Sequence, residues 1–380
     1  MMAAARWRAR LRRGAVALVA VGIAVGSAEL CGRAFAPEWL RSRMREVAVG
    51  RSLSSWGSDE DWPVERDNGR PIRFVPGSHF TVRHDEFMHT VRIDELGGRA
   101  SGRVAAAGRP IVPVFGDSMA FGIGVRDAET FVSLLERSLP VRLVNFAMPG
   151  SELFDQLDAL ERLDVALGSP TVCLFVVFLG NDLTDMANVI DEGPPSGDIA
   201  LSFSERLFLA NRALDDRRVL RRSYLVQWTR ALAIRLVNAS RSEPQVERVF
   251  SLMDRAGSSD RVRAAFERAV ERLVHTADRG RFTPLVIVVP DRFQVNEGIR
   301  RDKAALYGVS LSAYDPRRPN RIAAETLAAR GVAFVDASSC LEGRAGQYYV
   351  RDTHLTAAGH ETIARCVESF LVARLVWKSR

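Results

Sequence analysis

A serine lies where a short apolar run ends. The tripeptide Gly116-Asp117-Ser118 directly follows the run "IVPVF" and precedes a second glycine-containing turn. A serine at the carboxyl end of a buried strand exposes its hydroxyl, and the backbone N–H groups beside it point outward. A serine hydroxyl is a weak nucleophile without an adjacent base. Gly-Asp-Ser is also an ordinary turn and capping sequence, so its chemistry depends on partners elsewhere in the chain.

Three further blocks contain such partners. Gly150 lies in "NFAMPGSE" and Asn181 in "FLGNDL", each directly after an apolar run. A backbone N–H and a side-chain amide at these places are hydrogen-bond donors of the kind that stabilise an oxyanion. Asp352 and His354 lie in "RDTHLTAAGH", ahead of the last helical pattern. A nucleophile, two donors and an acid–histidine pair are the parts that acyl transfer requires.

The order of these blocks, Gly-Asp-Ser, Gly, Gly-Asn-Asp and Asp-x-His, resembles that of the SGNH/GDSL hydrolases from about residue 110 to the end. The wider layout, with "VRIDELGGRA" ahead of the serine, is similar to bacterial membrane-anchored members of that family. The resemblance implies that Ser118 is the nucleophile, His354 the general base and Asp352 its orienting acid. It also implies an oxyanion hole made of the Ser118 N–H, the Gly150 N–H and the Asn181 side chain.

One spacing departs from the family pattern. The family usually separates its Asp and His by two residues, whereas only Thr353 lies between Asp352 and His354. Residues two apart on an extended segment point to the same side, so the carboxylate can still reach the imidazole. Asp182 and Asp291 also follow strands, and we expect them to cap turns or helices. We expect surface or packing roles for the other histidines: His79, His84, His89, His275 and His360.

Five apolar runs bounded by turn residues predict the strands that position these blocks. Continuous rather than alternating runs are typical of strands that are covered on both faces. They span residues 111–115, 142–147, 171–178, 284–290 and 332–336. Helical patterns between them begin at Asp127, Ser151 and Thr356 as predicted N-caps.

This alternation predicts an α/β fold with a parallel sheet whose site lies at the carboxyl ends of the strands. The resemblance specifies a flavodoxin-like, three-layer α/β/α sandwich with a central five-stranded sheet. Pro113 is discordant, because proline removes a ladder donor from a central strand.

The N-terminus predicts export. Five arginines within residues 6–13 precede an uncharged apolar run over residues 14–28. Either this run is cleaved after Ala28, which would give a secreted protein, or it stays as a signal-anchor of residues 1–36. We expect the anchor, with its basic end in the cytoplasm and the remainder periplasmic or extracellular at the inner membrane.

Two regions do not fit the strand–helix repeat. Residues 37–106 predict an accessory segment between the anchor and an SGNH hydrolase domain of residues 107–380. Arg-rich amphipathic helices predict an insertion at about residues 183–282, which either shapes a substrate groove or covers a face of the sheet.

Composition limits the partners. The chain has 380 residues, 47% of them hydrophobic, and a formal net charge of +7 that comes mostly from arginine. This balance suits an acidic membrane surface, an acidic polymer or nucleic acid, but we expect a solvated arginine-rich surface rather than any of these. We find no zinc spacing and no nucleic-acid motif, and we expect no cofactor or metal. Among the four cysteines, Cys340 and Cys366 are the pair available to each other, because Cys173 lies in a strand and Cys31 at the anchor.

The sequence therefore predicts a serine esterase or O-acyltransferase of the cell envelope that acts through an acyl-serine on acylated carbohydrate. A transferase there would need a membrane protein as acyl donor. The alternatives are a lipid esterase at the membrane and a non-catalytic glycan-binding protein. Activity should rise with pH, because only a neutral imidazole can accept the serine proton.

Overall fold

The computed structural model describes residues 2–41, 44, 62–67, 70–84, 86–102, 108–167, 170–192, 223–239, 248–350 and 352–375. The chain divides into two compact units. The first contains residues 1–53, 201–245 and 301–309, and the second contains residues 54–200, 246–300 and 310–380. All of the candidate site residues belong to the second unit.

Within the described residues, the second unit contains nine strands. In chain order they are β1 (Val64–Asp67), β2 (Arg70–Phe74), β3 (His79–Arg83), β4 (Met88–Arg92), β5 (Ile111–Phe115), β6 (Arg142–Asn145), β7 (Val172–Phe178), β8 (Thr283–Val289) and β9 (Ala333–Asp336). The last five form one parallel sheet in the order β6-β5-β7-β8-β9. This is the flavodoxin-like strand order, and each strand falls on a predicted apolar run.

Helices cover both faces of this sheet. The helices of the described residues, from both units, are α1 (Met2–Phe35), α2 (Ser118–Phe121), α3 (Phe131–Ser138), α4 (Leu153–Leu167), α5 (Asp182–Glu192), α6 (Tyr224–Ala239), α7 (Arg248–Met253), α8 (Asp260–Gly280), α9 (Arg292–Val295), α10 (Glu297–Tyr307), α11 (Arg318–Ala329), α12 (Ser338–Leu341) and α13 (Ala357–Leu375). Apolar residues of α3 and α13 pack on one face, and those of α4, α5, α8 and α11 pack on the other. The three-layer prediction is confirmed.

The burial of β7 on both faces explains why the sequences of the strands are continuous apolar runs. Leu174 and Val176 point into the core on one side of the sheet, whereas Phe175 and Val177 point into the core on the other. Pro113 is accommodated beside this strand because β5 pairs with β7 only through Val114 and Phe115. The ladder therefore begins after the residue that lacks an N–H.

The accessory segment contains two antiparallel hairpins, β1–β2 and β3–β4, which the sequence analysis did not predict. An aromatic cluster joins it to the helix that carries Ser118, with Phe74 and Phe121 ring centroids 5.0 Å apart. Arg99, from the block ahead of the serine, is buried, and its guanidinium donates to the carbonyls of Phe121, Gly122 and Val125 at 2.6–2.8 Å. The accessory segment therefore stabilises the turn that follows α2 through these hydrogen bonds and ring contacts.

Two of the three predicted helix caps were wrong. Thr130 rather than Asp127 caps α3, since its hydroxyl accepts from the Ser133 N–H at 3.1 Å, while the Asp127 carboxylate pairs with buried Arg99. Before α4, the Glu152 carboxylate accepts from the Phe154 N–H, and the Ser151 hydroxyl donates instead to the Gly116 carbonyl. The Thr356 cap is confirmed, because its hydroxyl accepts from the Gly359 N–H at 3.2 Å.

The predicted insertion at residues 183–282 contains two helices of the main fold. Both α5 and α8 pack against the sheet, and α8 leads directly into β8. Amphipathic α6 instead belongs to the first unit. The groove-shaping role of the insertion stays a prediction.

The first unit joins α1 to α6. The Glu29 carboxylate accepts from the Tyr224 and Leu225 N–H groups at 3.0 Å, so a side chain of α1 caps the N-terminus of α6. The predicted anchor falls on α1, whose Val19 and Ile23 side chains are exposed. Within the described ranges, none of the helices combines the length and the apolarity that crossing a bilayer requires.

Candidate active site

The nucleophile candidate lies at the junction of β5 and α2. Ser118 is the first residue of α2, and the Asp117 carboxylate caps this helix by accepting from the Met119 N–H at 2.9 Å. A Cβ added to Gly116 would lie 2.5 Å from the Ala120 Cβ and 2.9 Å from the Val176 Cβ. Glycine is required there because α2 begins directly against the sheet.

Ser118, His354 and Asp352 form one hydrogen-bonded chain. The Ser118 Oγ lies 2.8 Å from the His354 Nε2. The His354 Nδ1 contacts the Asp352 Oδ1, and the same oxygen accepts the His354 backbone N–H at 2.9 Å. This network assigns the proton of the neutral imidazole to Nδ1, which leaves Nε2 to accept from the hydroxyl.

The shared oxygen explains how the short Asp-x-His spacing works. Because Asp352 Oδ1 accepts both the backbone N–H and the ring N–H of His354, a segment with one intervening residue already orients the ring. Burial alone would raise the pKa of Asp352. The opposing charge of His354 and these hydrogen bonds outweigh burial, so the pKa lies below its ordinary value.

The loop that carries the pair is fixed to the last helix. The Tyr349 N–H donates to the His354 carbonyl at 2.9 Å, and the Thr356 N–H donates to the Gln347 carbonyl at 3.0 Å. A Cβ on Gly359 would lie 2.1 Å from the Gln347 oxygen, so glycine allows α13 to pack against this loop.

Gly150 and Asn181 follow β6 and β7, the two strands that flank β5. Gly150 has a φ of +82°, and an added Cβ would meet nothing within 4 Å, so backbone conformation rather than space requires glycine there. The Asn181 amide donates to the Asp185 carboxylate at 2.7 Å, which orients it. Their role as oxyanion donors stays a prediction.

Three buried carboxyl groups, those of Asp117, Glu152 and Asp182, follow the strands that carry the site, and the charges of Asp117 and Glu152 both act on Asp182. Burial raises the pKa of Asp117 to about 6, although the Met119 N–H and the charge of His354 oppose this rise. Burial also raises the pKa of Glu152 to about 7. The pKa of Asp182 lies well above its ordinary value because of burial and the charge of Asp117. Burial therefore shifts all three groups towards their neutral forms, relative to the same groups in water.

The other predicted residues have structural contacts. The Asp182 carboxylate accepts from the Phe178 N–H at 2.9 Å and closes the turn after β7. Asp291 caps α9 by accepting from the Phe293 N–H at 2.7 Å. His360 is buried against Phe131, whose N–H it accepts at 3.2 Å, and burial lowers the pKa of His360 to about 3.

Sequence reasoning missed two residues that hold the Asp352 loop. Glu86, in the β3–β4 turn, accepts the Val350 and Asp352 N–H groups, and Arg292 donates to the Val350 carbonyl at 2.7 Å. Glu86 lies outside the apolar runs and the motif blocks, so no local signal indicates it, whereas Arg292 lies in "VVPDRFQV", the block on the fourth predicted strand. In the described part of the chain, no three His, Cys, Asp or Glu side chains are grouped as a metal site would require.

Solved structures similar to this chain include a protein of a lipolytic family and an acetylxylan esterase. A member of the lipolytic G-D-S-L family from Veillonella parvula is 12% identical over 70% of this chain and 98% of its own, with a TM-score of 0.35. A catalytic mutant of Axe2, an acetylxylan esterase from Geobacillus stearothermophilus, is 14% identical over 70% and 94%, with a TM-score of 0.34. TesA is 13% identical over 69% and 98%, with a TM-score of 0.37.

The G-D-S-L name is that of the family which the sequence blocks resemble. No protein-family model matches the sequence, and no curated protein matches it significantly.

Proposed function

We propose that this chain is a serine ester hydrolase with Ser118 as its nucleophile. The observation that carries the proposal is the hydrogen-bonded chain from the Ser118 hydroxyl through His354 to Asp352. Ser118 is half-buried, whereas the imidazole and the carboxylate behind it are buried. Of the three hydrogen-bonded groups, the Ser118 hydroxyl is therefore the one that a substrate can reach.

The proposed acyl transfer takes place in two steps. As the Ser118 Oγ attacks an ester carbonyl, its proton passes to the His354 Nε2, and Asp352 stabilises the imidazolium that forms. The imidazolium then returns the proton to the leaving alcohol, which leaves an acyl-serine. In the second step His354 takes a proton from the acceptor as the acceptor oxygen attacks the acyl carbonyl. The acyl–Ser118 bond then breaks, and the imidazolium returns the proton to the Ser118 oxygen.

Gly150 and Asn181 are the proposed donors to the oxyanion, together with the Ser118 N–H. Their support is their position after the strands on either side of β5 and the fixed orientation of the Asn181 amide. Removing one such donor costs about 3 kcal/mol of barrier in measured cases.

The proposed acceptor is either water or a sugar hydroxyl, because both use the same residues. An acylated carbohydrate is the proposed substrate class, and its support is the resemblance of the sequence blocks to SGNH/GDSL enzymes. A transferase would take its acyl group from an existing ester or from a membrane donor protein. Addition of an acceptor glycan to the purified enzyme should then lower hydrolysis and yield an acyl-sugar.

The proposed enzyme is held at the cytoplasmic membrane by residues 1–36, with the rest of the chain outside the cytoplasm. The support is the order of an arginine cluster and an apolar run in the sequence. A reporter that is active only in the cytoplasm, fused to the C-terminus, should stay dark. A bright signal would overturn the proposed location but would leave the proposed roles of Ser118, His354 and Asp352 unaffected.

Labelling with a fluorophosphonate tests the nucleophile. The wild-type chain should be labelled and should hydrolyse small activated esters, whereas Ser118→Ala should do neither. Ser138→Ala is the matched control, because that hydroxyl donates only to the Leu135 carbonyl at 3.2 Å in α3, and it should behave as the wild type. Undiminished labelling and turnover of Ser118→Ala would refute the assignment.

A further inference from the structure

A carboxylate from the accessory segment reaches the loop that carries Asp352. Glu86 lies in the turn between β3 and β4, more than 260 residues before this loop. Its Oε1 accepts the Val350 N–H at 2.9 Å, and its Oε2 accepts the Asp352 N–H at 2.8 Å. Its side chain is 6% exposed, so water competes little for either oxygen.

The loop is held from two sides. Glu86 accepts its N–H groups, whereas Arg292, itself buried, donates to the Val350 carbonyl at 2.7 Å. The rings of Phe87 and Tyr349 pack at 4.9 Å, and the Tyr349 hydroxyl donates to the Gly124 carbonyl at 2.6 Å. The β3–β4 turn thus contacts the loop at adjacent residues, through a carboxylate and through an aromatic ring.

We propose that Glu86 is a positioning residue of the triad, through which the accessory segment completes the active site. Glu86 fixes the Asp352 backbone, Asp352 orients the His354 ring, and the ring accepts the Ser118 proton. A carboxylate that accepts two N–H groups makes charge-assisted hydrogen bonds, which are stronger than neutral ones. Because catalytic geometry tolerates little displacement, release of the Asp352 backbone should reduce turnover by about tenfold to 100-fold.

The test compares two amide substitutions in the same segment. Glu86→Gln keeps one acceptor oxygen but places an NH₂ group against the second N–H, and its kcat for a small activated ester should fall about tenfold with little change in KM. Glu86→Ala should lose more. The control is Asp94→Asn, which removes a carboxylate of the same segment away from the triad: the Asp94 Oδ1 accepts the N–H groups of Leu96 and Gly98, and its Oδ2 accepts from Arg142 at 3.0 Å. The control should keep the wild-type kcat.

A double-mutant cycle separates positioning from general destabilisation. If Glu86 acts through Asp352, then Glu86→Gln should cost less than about twofold in an Asp352→Asn background. Losses that multiply, or a wild-type kcat in both Glu86 variants, would overturn the proposal. If Glu86→Ala fails to fold, the Gln variant alone decides the cycle.

A spectroscopic readout follows the same link without turnover. The His354 Nδ1 proton shared with Asp352 should give a far-downfield NMR signal that shifts in Glu86→Gln and stays in place in Asp94→Asn. The proposal rests on the proposed function, but the two fail differently. An unlabelled, inactive wild-type chain would remove the function, whereas an active chain indifferent to Glu86 would remove only the positioning role.

Discussion

The disulfide between Cys340 and Cys366 closes the part of the chain that carries Asp352 and His354. It joins α12 to α13 across a sequence separation of 26, with the two Cα atoms 6.1 Å apart. In the chain-entropy model, closing a loop of this length stabilises the folded state by about 3.5 kcal/mol at 25 °C. We therefore expect the double variant Cys340→Ser, Cys366→Ser to unfold more readily by about this amount.

Urea unfolding, followed by intrinsic fluorescence and by ester hydrolysis, measures the effect. With a slope of about 3 kcal/mol per molar urea, the midpoint should fall by about 1 M. Cys31→Ser is the control, because Cys31 is an exposed free cysteine in α1 and its loss should leave the midpoint unchanged. Because the triad hydrogen bonds do not include the disulfide, activity without urea should persist. An unchanged midpoint in the double variant would refute the reasoning.

Two further predictions concern the buried groups around Ser118. Because burial raises the pKa of Glu152 from 4.5 to about 7, its protonated form stabilises the fold at low pH, and this contribution is lost as the pH rises from about 4.5 to about 7. This contribution is on the order of 3 kcal/mol. Between pH 5 and pH 8, the free energy of unfolding measured in urea should therefore change less in Glu152→Gln than in the wild type. An equal change in both proteins would contradict this. Gly116→Ala should cost about 1–3 kcal/mol and lower activity, because its Cβ would lie 2.5 Å from the Ala120 Cβ; wild-type thermal stability would show that the junction can shift.

The strands and the position of Ser118 could be predicted because both have local signals. The apolar run of β7 is continuous since both of its faces are buried, and the same is visible in β8. Ser118 follows such a run directly, so its place at the sheet edge needs no long-range information. The contact between His354 and Ser118 spans 236 residues, and the family resemblance rather than any periodicity predicted it.

The contacts that were not predicted from the sequence are made with residues far away in the chain. Aspartate is a residue type that favours N-caps, but the Asp127 carboxylate forms an ion pair with buried Arg99. Thr130 therefore caps α3 instead. Glu86 lies in a polar hairpin, and nothing local indicates that its oxygens accept N–H groups from the Asp352 loop. The cap before α4 shifted from Ser151 by one residue for a similar reason, since that hydroxyl donates to the Gly116 carbonyl.

The central claim is that an acyl group passes through the Ser118 oxygen. Rapid mixing of the purified protein with an activated acetyl ester, followed by acid quenching and peptide mass spectrometry, measures this directly. We predict a burst of released alcohol that matches the amount of protein, with acetyl on the peptide that contains Ser118 and none in Ser118→Ala. Acetyl on a different residue that persists in Ser118→Ala, or turnover by Ser118→Ala at the wild-type rate, would contradict the claim.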